Sequence, residues 1–161
     1  MYRKFFILFS ILGILTTCSP SSSRDKSDTC PVTTPSQQSM SLPIEIDYKE
    51  RFWYGTPALW TNLPSDGIWQ GLPQDNGGYV QKAVFWREGF VALDEPNPAL
   101  TVSGRRLDAS APTFSFFDAT HGWDKTGNFM LVGINIPTGG CWEITAEYQD
   151  VQLSYVILVS P

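Results

Sequence analysis

The sequence predicts an all-β body built as a two-sheet sandwich. Three observations carry this prediction. Short runs rich in aromatic and β-branched residues alternate with clusters of Gly, Pro, Asn and Asp, the rhythm of strands and turns. Near the C-terminus apolar and polar side chains alternate with a period of two. Nowhere does the apolar spacing of a helix emerge, and 12 prolines and 13 glycines would interrupt one.

Ahead of that body lies an export signal. Arg3 and Lys4 precede an apolar run from Phe5 to Leu15, and the segment closes on Leu15-Thr16-Thr17-Cys18. A positive start, a short apolar core and small residues before a processing point describe a secretory signal over residues 1–17. The run falls short of the roughly 20 apolar residues that span a bilayer. Its ending is similar to the bacterial lipoprotein cleavage box, with Thr17 departing from the usual Gly, Ala or Ser. That resemblance implies lipidation of Cys18 and attachment to the extracytoplasmic face of the cell membrane or outer membrane. Residues 18–41 are dominated by Ser, Thr and Pro and have almost nothing to bury, so they read as a disordered tether. The sandwich domain is expected over residues 42–161.

Charge narrows the partners. Residues 1–17 carry Arg3 and Lys4 and no acid, so the remainder holds nine of the 11 basic residues against all 16 acidic ones, a formal net charge of −7. Such a chain is poorly suited to nucleic acid, where neutralising phosphates supplies most of the affinity. It is also repelled by anionic headgroups, so the membrane is a partner only through the N-terminal lipid. With Cys18 lipidated, Cys30 and Cys141 remain for a compartment that permits disulfides. They can bridge, or Cys30 can stay in the tether while Cys141 serves as a small buried apolar residue.

Strands are expected in chain order at Tyr48–Tyr54, Tyr79–Trp86, Phe90–Leu93, Ala99–Leu107, Pro112–Phe117, Asn128–Ile136, Cys141–Tyr148 and Val151–Val159. Asp75-Asn76-Gly77-Gly78 is a hairpin-type turn signal, and Gln149-Asp150 turns the last two strands into an antiparallel hairpin. Trp86, in a mid-chain strand, is a candidate for the core Trp that such sandwiches hold. Arg105 and Arg106 should point to opposite sides of their strand.

Two stretches bear a wider likeness. One is Leu59–Trp69 with Gln81-Lys82, Phe85–Gly89 and Ser103–Asp108; the other is Gly139–Ala146 with its partner strand. Together they resemble a family of uncharacterised bacterial lipoproteins, each a lipobox, a tether and one immunoglobulin-like β-domain. The resemblance implies fold and location and carries no activity.

Residues able to support chemistry are few. His121 is the single histidine and reads as a loop residue; no further ligands stand at zinc spacing, and no Gly-x-Ser-x-Gly elbow presents a nucleophile. Asp118, Asp124 and Asn128 around a Gly turn lack the alternating carboxylates of a calcium loop. Glu88, Asp94 and Glu95 read as turn and surface residues. The expectation is therefore a non-enzymatic binding or structural module without a cofactor or metal, recognising protein or glycan at the cell envelope. Aromatic density is the one surplus: it reads as a loop-rich layer folded over the core, its large rings supplying burial. The alternative makes Trp53, Trp60 and Trp69 the candidate ligand-binding rings of a carbohydrate or cell-wall module.

Overall fold

The computed structural model describes residues 30–35, 50–124 and 127–161. The expected signal peptide, Cys18 and the expected tether apart from residues 30–35 lie outside the described residues, as do residues 42–49 of the expected domain. Among those described there is no helix. Eleven strands are present: β1 (Arg51–Thr56), β2 (Leu59–Pro64), β3 (Ile68–Gln70), β4 (Gln74–Asp75), β5 (Gly78–Trp86), β6 (Leu100–Arg106), β7 (Phe114–Phe116), β8 (Thr120–Asp124), β9 (Gly127–Ile136), β10 (Gly140–Tyr148) and β11 (Val151–Ser160).

They form two sheets. The first runs β1-β2-β5-β9-β8, with β4 paired to β5; the second runs β3-β11-β10-β6-β7. All pairings are antiparallel except β11 with β3. Within this frame β2-β5-β9-β8 and β6-β10-β11 occupy the places A-B-E-D and C-F-G of an immunoglobulin-like sandwich.

Alternation explains why these residues form these strands. Trp142, Ile144, Ala146 and Tyr148 of β10 and Leu153, Tyr155, Ile157 and Val159 of β11 face inward. They meet Ala83 and Phe85 of β5 and Met130, Val132, Ile134 and Ile136 of β9. The core Trp is Trp142, fully buried, with its Nε1–H donating to the Thr138 carbonyl at 2.9 Å. Phe114 lies against it, ring centroids 5.6 Å apart. Trp86 is not that residue. It pairs with Trp60 across β5 and β2, on the face turned away from the core, and is half-buried.

Other departures have local reasons. Phe90–Leu93 alternates like a strand but forms turns: Phe90 and Ala92 tuck into the core while Val91 and Leu93 face water, with no ladder partner. Strands β2, β3, β4 and β8 had no expected counterpart; β3 and β4 are too short to display a period. At Asp75-Asn76-Gly77-Gly78 the hairpin forms as expected, with positive φ of 49° at Asn76 and 82° at Gly77, the conformation a two-residue turn of the I′ kind demands. Arg105 and Arg106 do diverge: Arg105 meets Glu143 at 2.5 Å, and Arg106 meets Asp108 at 2.7 Å while also donating to Thr138. That Arg106 contact holds the Asp108 carboxyl below its ordinary range.

Residues 30–35, within the stretch expected to be a disordered tether, lie against the second sheet. Cys30 is disulfide-bonded to Cys141, Cα atoms 5.5 Å apart. Thr33 N–H donates to the Val156 carbonyl at 2.9 Å, and Val156 N–H donates to Thr33 Oγ1 at 2.9 Å. Strand β3 reaches only as far as Leu158 on that edge, so Thr33 takes over backbone groups that β3 leaves open. Val32 packs beside Gly67. Cys141 sits on the face of β10 opposite Trp142, so the disulfide clamps the strap onto the outside of the second sheet rather than joining the two sheets.

Two consequences are measurable. The bridge joins residues 111 apart, and constraining so long a loop stabilises by up to about 4–5 kcal/mol in the chain-entropy account. Urea unfolding of the Cys30→Ala/Cys141→Ala protein should therefore show a loss of about 2–5 kcal/mol; an unchanged midpoint and slope would contradict the clamp. The second concerns Tyr155, whose phenol burial pushes well above its ordinary value. Its hydroxyl lies near Thr61 but outside hydrogen-bond geometry, and Thr61 Oγ1 donates to the Val84 carbonyl at 3.0 Å. The unfolded chain releases this proton near pH 10 while the folded chain keeps it, so stability holds below that pH and falls as pH rises beyond it. Tyr155→Phe should soften that alkaline decline in pH-dependent thermal melts, whereas an equal decline in both proteins would contradict the assignment.

Candidate recognition surface at the loop end

Strand register gives the sandwich two unlike ends. At one end β9 finishes at Ile136 opposite Tyr79, β10 starts at Gly140 opposite Val159, and β1 starts at Arg51 opposite Pro64. The Cys30–Cys141 bridge is at this end, and so is the last residue, Pro161. At the other end β5 finishes at Trp86, β6 starts at Leu100 opposite Tyr148, and the β8–β9 hairpin closes with Asp124 opposite Gly127. The 87–99 loop, the 149–150 turn, the facing ends of β8 and β9 and Pro57 of the β1–β2 turn gather here; Glu88 N–H donates to the Pro57 carbonyl at 3.0 Å.

Most of the large apolar side chains left in water belong to this loop end. Leu93 is 81% exposed, Phe117 73%, Trp123 65% and Val91 44%. Phe117 follows Phe116, which pairs with Val102 near the start of β6. Leu107, at the opposite end, is the remaining case. Apolar side chains gathered on one surface mark interaction sites more often than singly scattered ones do.

The loop carrying Leu93 is braced. Tyr148, the last residue of β10, donates its hydroxyl to Glu95 Oε2 at 2.5 Å, and Gln149 Nε2 donates to the same hydroxyl at 3.1 Å. The Arg87 guanidinium lies 5.4 Å from the Tyr148 ring centroid, a cation–π contact. Burial first, then the bond to Glu95, raise the Tyr148 phenol above its ordinary value, so it remains a neutral donor.

Trp123 is braced as well. His121 and Trp123 share one face of β8, two residues apart, and their rings stack with centroids 5.5 Å apart and planes 16° from parallel. A carbonyl only accepts, so His121 Nδ1–H is the donor in its 2.7 Å bond to the Pro96 carbonyl. This bond fixes the imidazole, the imidazole supports the indole, and Pro96 ties both to the loop that bears Leu93. Gly122 between them leaves room for the Phe129 ring from β9, whose Cε2 would lie 2.3 Å from any added Cβ.

His121 is therefore a strand residue with a defined partner, not the loop residue expected. The signal for it was faint: a glycine between two rings, opposite an aromatic on the next strand. Trp123 was never singled out, and its exposure is not readable from a five-residue edge strand.

Trp53, Trp60 and Trp69, the candidate ligand-binding rings, do not share a surface. Trp69 is buried between the sheets, edge-on to Tyr155 at 6.5 Å. Trp60 is 2% exposed on the outer side of the first sheet, beside half-buried Trp53 and Trp86. The indole N–H groups of Trp53 and Trp60 are enclosed without a hydrogen-bond partner. These rings supply burial, and a flat sugar has no access to them as a set. Among the described residues, no group of three or more His, Cys, Asp or Glu is placed to hold a metal ion.

Comparison with protein-family models, with curated proteins and with solved structures returns no match. If the His121 bond orients the indole, His121→Ala should leave the fold intact, with a stability change under about 1 kcal/mol. Time-resolved anisotropy should then show faster Trp123 motion, isolated by difference against Trp123→Phe. Unchanged anisotropy would mean that the indole does not depend on the imidazole.

Proposed function

We propose that this chain is a lipid-anchored, extracytoplasmic recognition module that engages its partner through the loop end of the sandwich and performs no catalysis. The observation that carries the reading is the opposition of the two ends. The Cys30–Cys141 clamp sits at one, and four exposed large apolar side chains sit at the other. A domain clamped near its base holds the far end toward the surroundings, where a partner can meet it. His121 supports recognition over chemistry, because its imidazole is engaged in positioning Trp123.

The lipobox-like Leu15-Thr16-Thr17-Cys18, its resemblance to bacterial lipoproteins and the Ser/Thr/Pro-rich stretch that follows support the anchor. A carbohydrate reading through Trp53, Trp60 and Trp69 loses its support with the burial of Trp60 and Trp69.

Mass spectrometry of the native N-terminus tests the anchor. The expected result is a mature protein starting at Cys18 with thioether-linked lipid; an unmodified Cys18 or cleavage elsewhere would remove the membrane from the account.

A further inference from the structure

The chemistry around the exposed rings identifies the kind of partner, an inference that rests on the loop end being the recognition surface. Its described segments carry Glu88, Asp94, Glu95, Asp118 and Asp150 against Arg87. The resulting formal charge of −4 compares with −5 for the whole chain. Arg87 is already committed to the face of Tyr148. Among the described residues the ion pairs Arg105–Glu143 and Arg106–Asp108 lie on β6 and beyond it toward the clamped end, away from the loop-end acids.

We infer that the loop end binds a cationic polypeptide segment carrying apolar side chains, with Leu93, Phe117 and Trp123 as anchors and the surrounding carboxylates selecting Lys and Arg. Each half of that description excludes something. A second copy of this chain would bring carboxylates against carboxylates. An anionic lipid surface or a nucleic acid would be repelled in the same way. A small inorganic cation would satisfy the acids and leave three large apolar side chains in water. A basic, apolar segment satisfies both: Trp123 offers an open indole face to aliphatic stems or to a cation, and Leu93 and Phe117 take apolar contacts.

Preorganisation favours the same surface. The His121–Trp123 stack and the Glu95–Tyr148–Arg87 brace fix the loop before any partner arrives, so less ordering entropy opposes binding. A stacked, positioned Trp is the residue type that most often dominates such contacts.

A randomised short-peptide display library, panned against the full-length chain, tests the proposal. Recovered peptides should be enriched in Lys or Arg together with Leu, Phe, Trp or Pro. Synthesised singly, they should bind more weakly as salt rises and lose about tenfold or more in affinity to Trp123→Ala and to Leu93→Ser. Asp94→Lys/Asp118→Lys, which touches neither brace, should weaken the same peptides while leaving the thermal midpoint unchanged. Enrichment of acidic or uncharged peptides, or binding indifferent to Asp94→Lys/Asp118→Lys, overturns the cationic partner. Peptidoglycan fragments or neutral oligosaccharides that bind and are lost with Trp123→Ala overturn it too, while leaving the loop end as the recognition surface. Peptide binding unaffected by both Trp123→Ala and Leu93→Ser removes the surface itself, and the proposed function with it.

Discussion

Everything in this molecule depends on burying one face of each sheet against the other. Trp142, Tyr155, Phe85 and Ile134 stand at the centre of that contact, each delivered by a strand whose alternate residues turn inward. Burial of apolar surface is worth roughly 25 cal/mol per Å², and no other term among the described residues approaches the sum over so many enclosed side chains. The two ion pairs are surface contacts, which contribute about 0–1 kcal/mol each. Once inner faces are committed to the core, any partner must meet an outer face, an edge or an end. The outer face of the second sheet carries Ser103, Thr145, Ser154 and the Arg105–Glu143 pair, a well-solvated surface. The loop end carries the rings.

The clamp gives the sandwich a direction. A two-sheet body has equivalent ends only until the chain is fastened to one of them. Cys30 fastens it beside Cys141, and Thr33 closes the β11 edge that β3 does not reach. An uncovered edge invites pairing with another chain; here a short strap answers that hazard with two hydrogen bonds between Thr33 and the Val156 backbone, one through the Thr33 N–H and one through its hydroxyl oxygen. Its usefulness lies in geometry more than in stability, since it determines which loops face away from the attachment.

The sequence made the long strands legible because β9, β10 and β11 alternate over nine or ten residues, long enough for the period to outweigh local exceptions. The Asn76-Gly77 turn was equally plain, since few residues accept two successive positive φ angles. What escaped notice was short or aperiodic. Strand β2 is buried at Leu59, Trp60, Thr61 and Leu63, so its two faces look alike. Phe90–Leu93 has the right alternation without a neighbour to pair with. The site was less legible than the fold. Trp60 and Trp69 stand among prolines and turn residues, where a buried layer and an exposed platform read alike, and tertiary packing decides for burial. Trp123 looked ordinary because exposure is settled by what the opposite sheet fails to cover. The bridge between Cys30 and Cys141 was one of two open readings, since pairing across a hundred residues leaves no local mark.

A surface of this kind divides the labour of recognition. Apolar anchors supply affinity: an aromatic side chain buries about 150–250 Å² when covered, so Trp123 and Phe117 together can offset several kcal/mol of the cost of association. The carboxylates act differently. Exposed charges add little to affinity once screened, but they accelerate encounter with an oppositely charged partner and penalise one of like sign. The anchors alone would make the loop end adhesive toward any apolar surface, including another copy of itself. On the proposed reading, Asp94, Asp118 and Asp150 in the same loop-end segments would leave these anchors open to a basic partner and closed to an acidic one, so that an exposed Trp, Phe and Leu can coexist on an acidic chain.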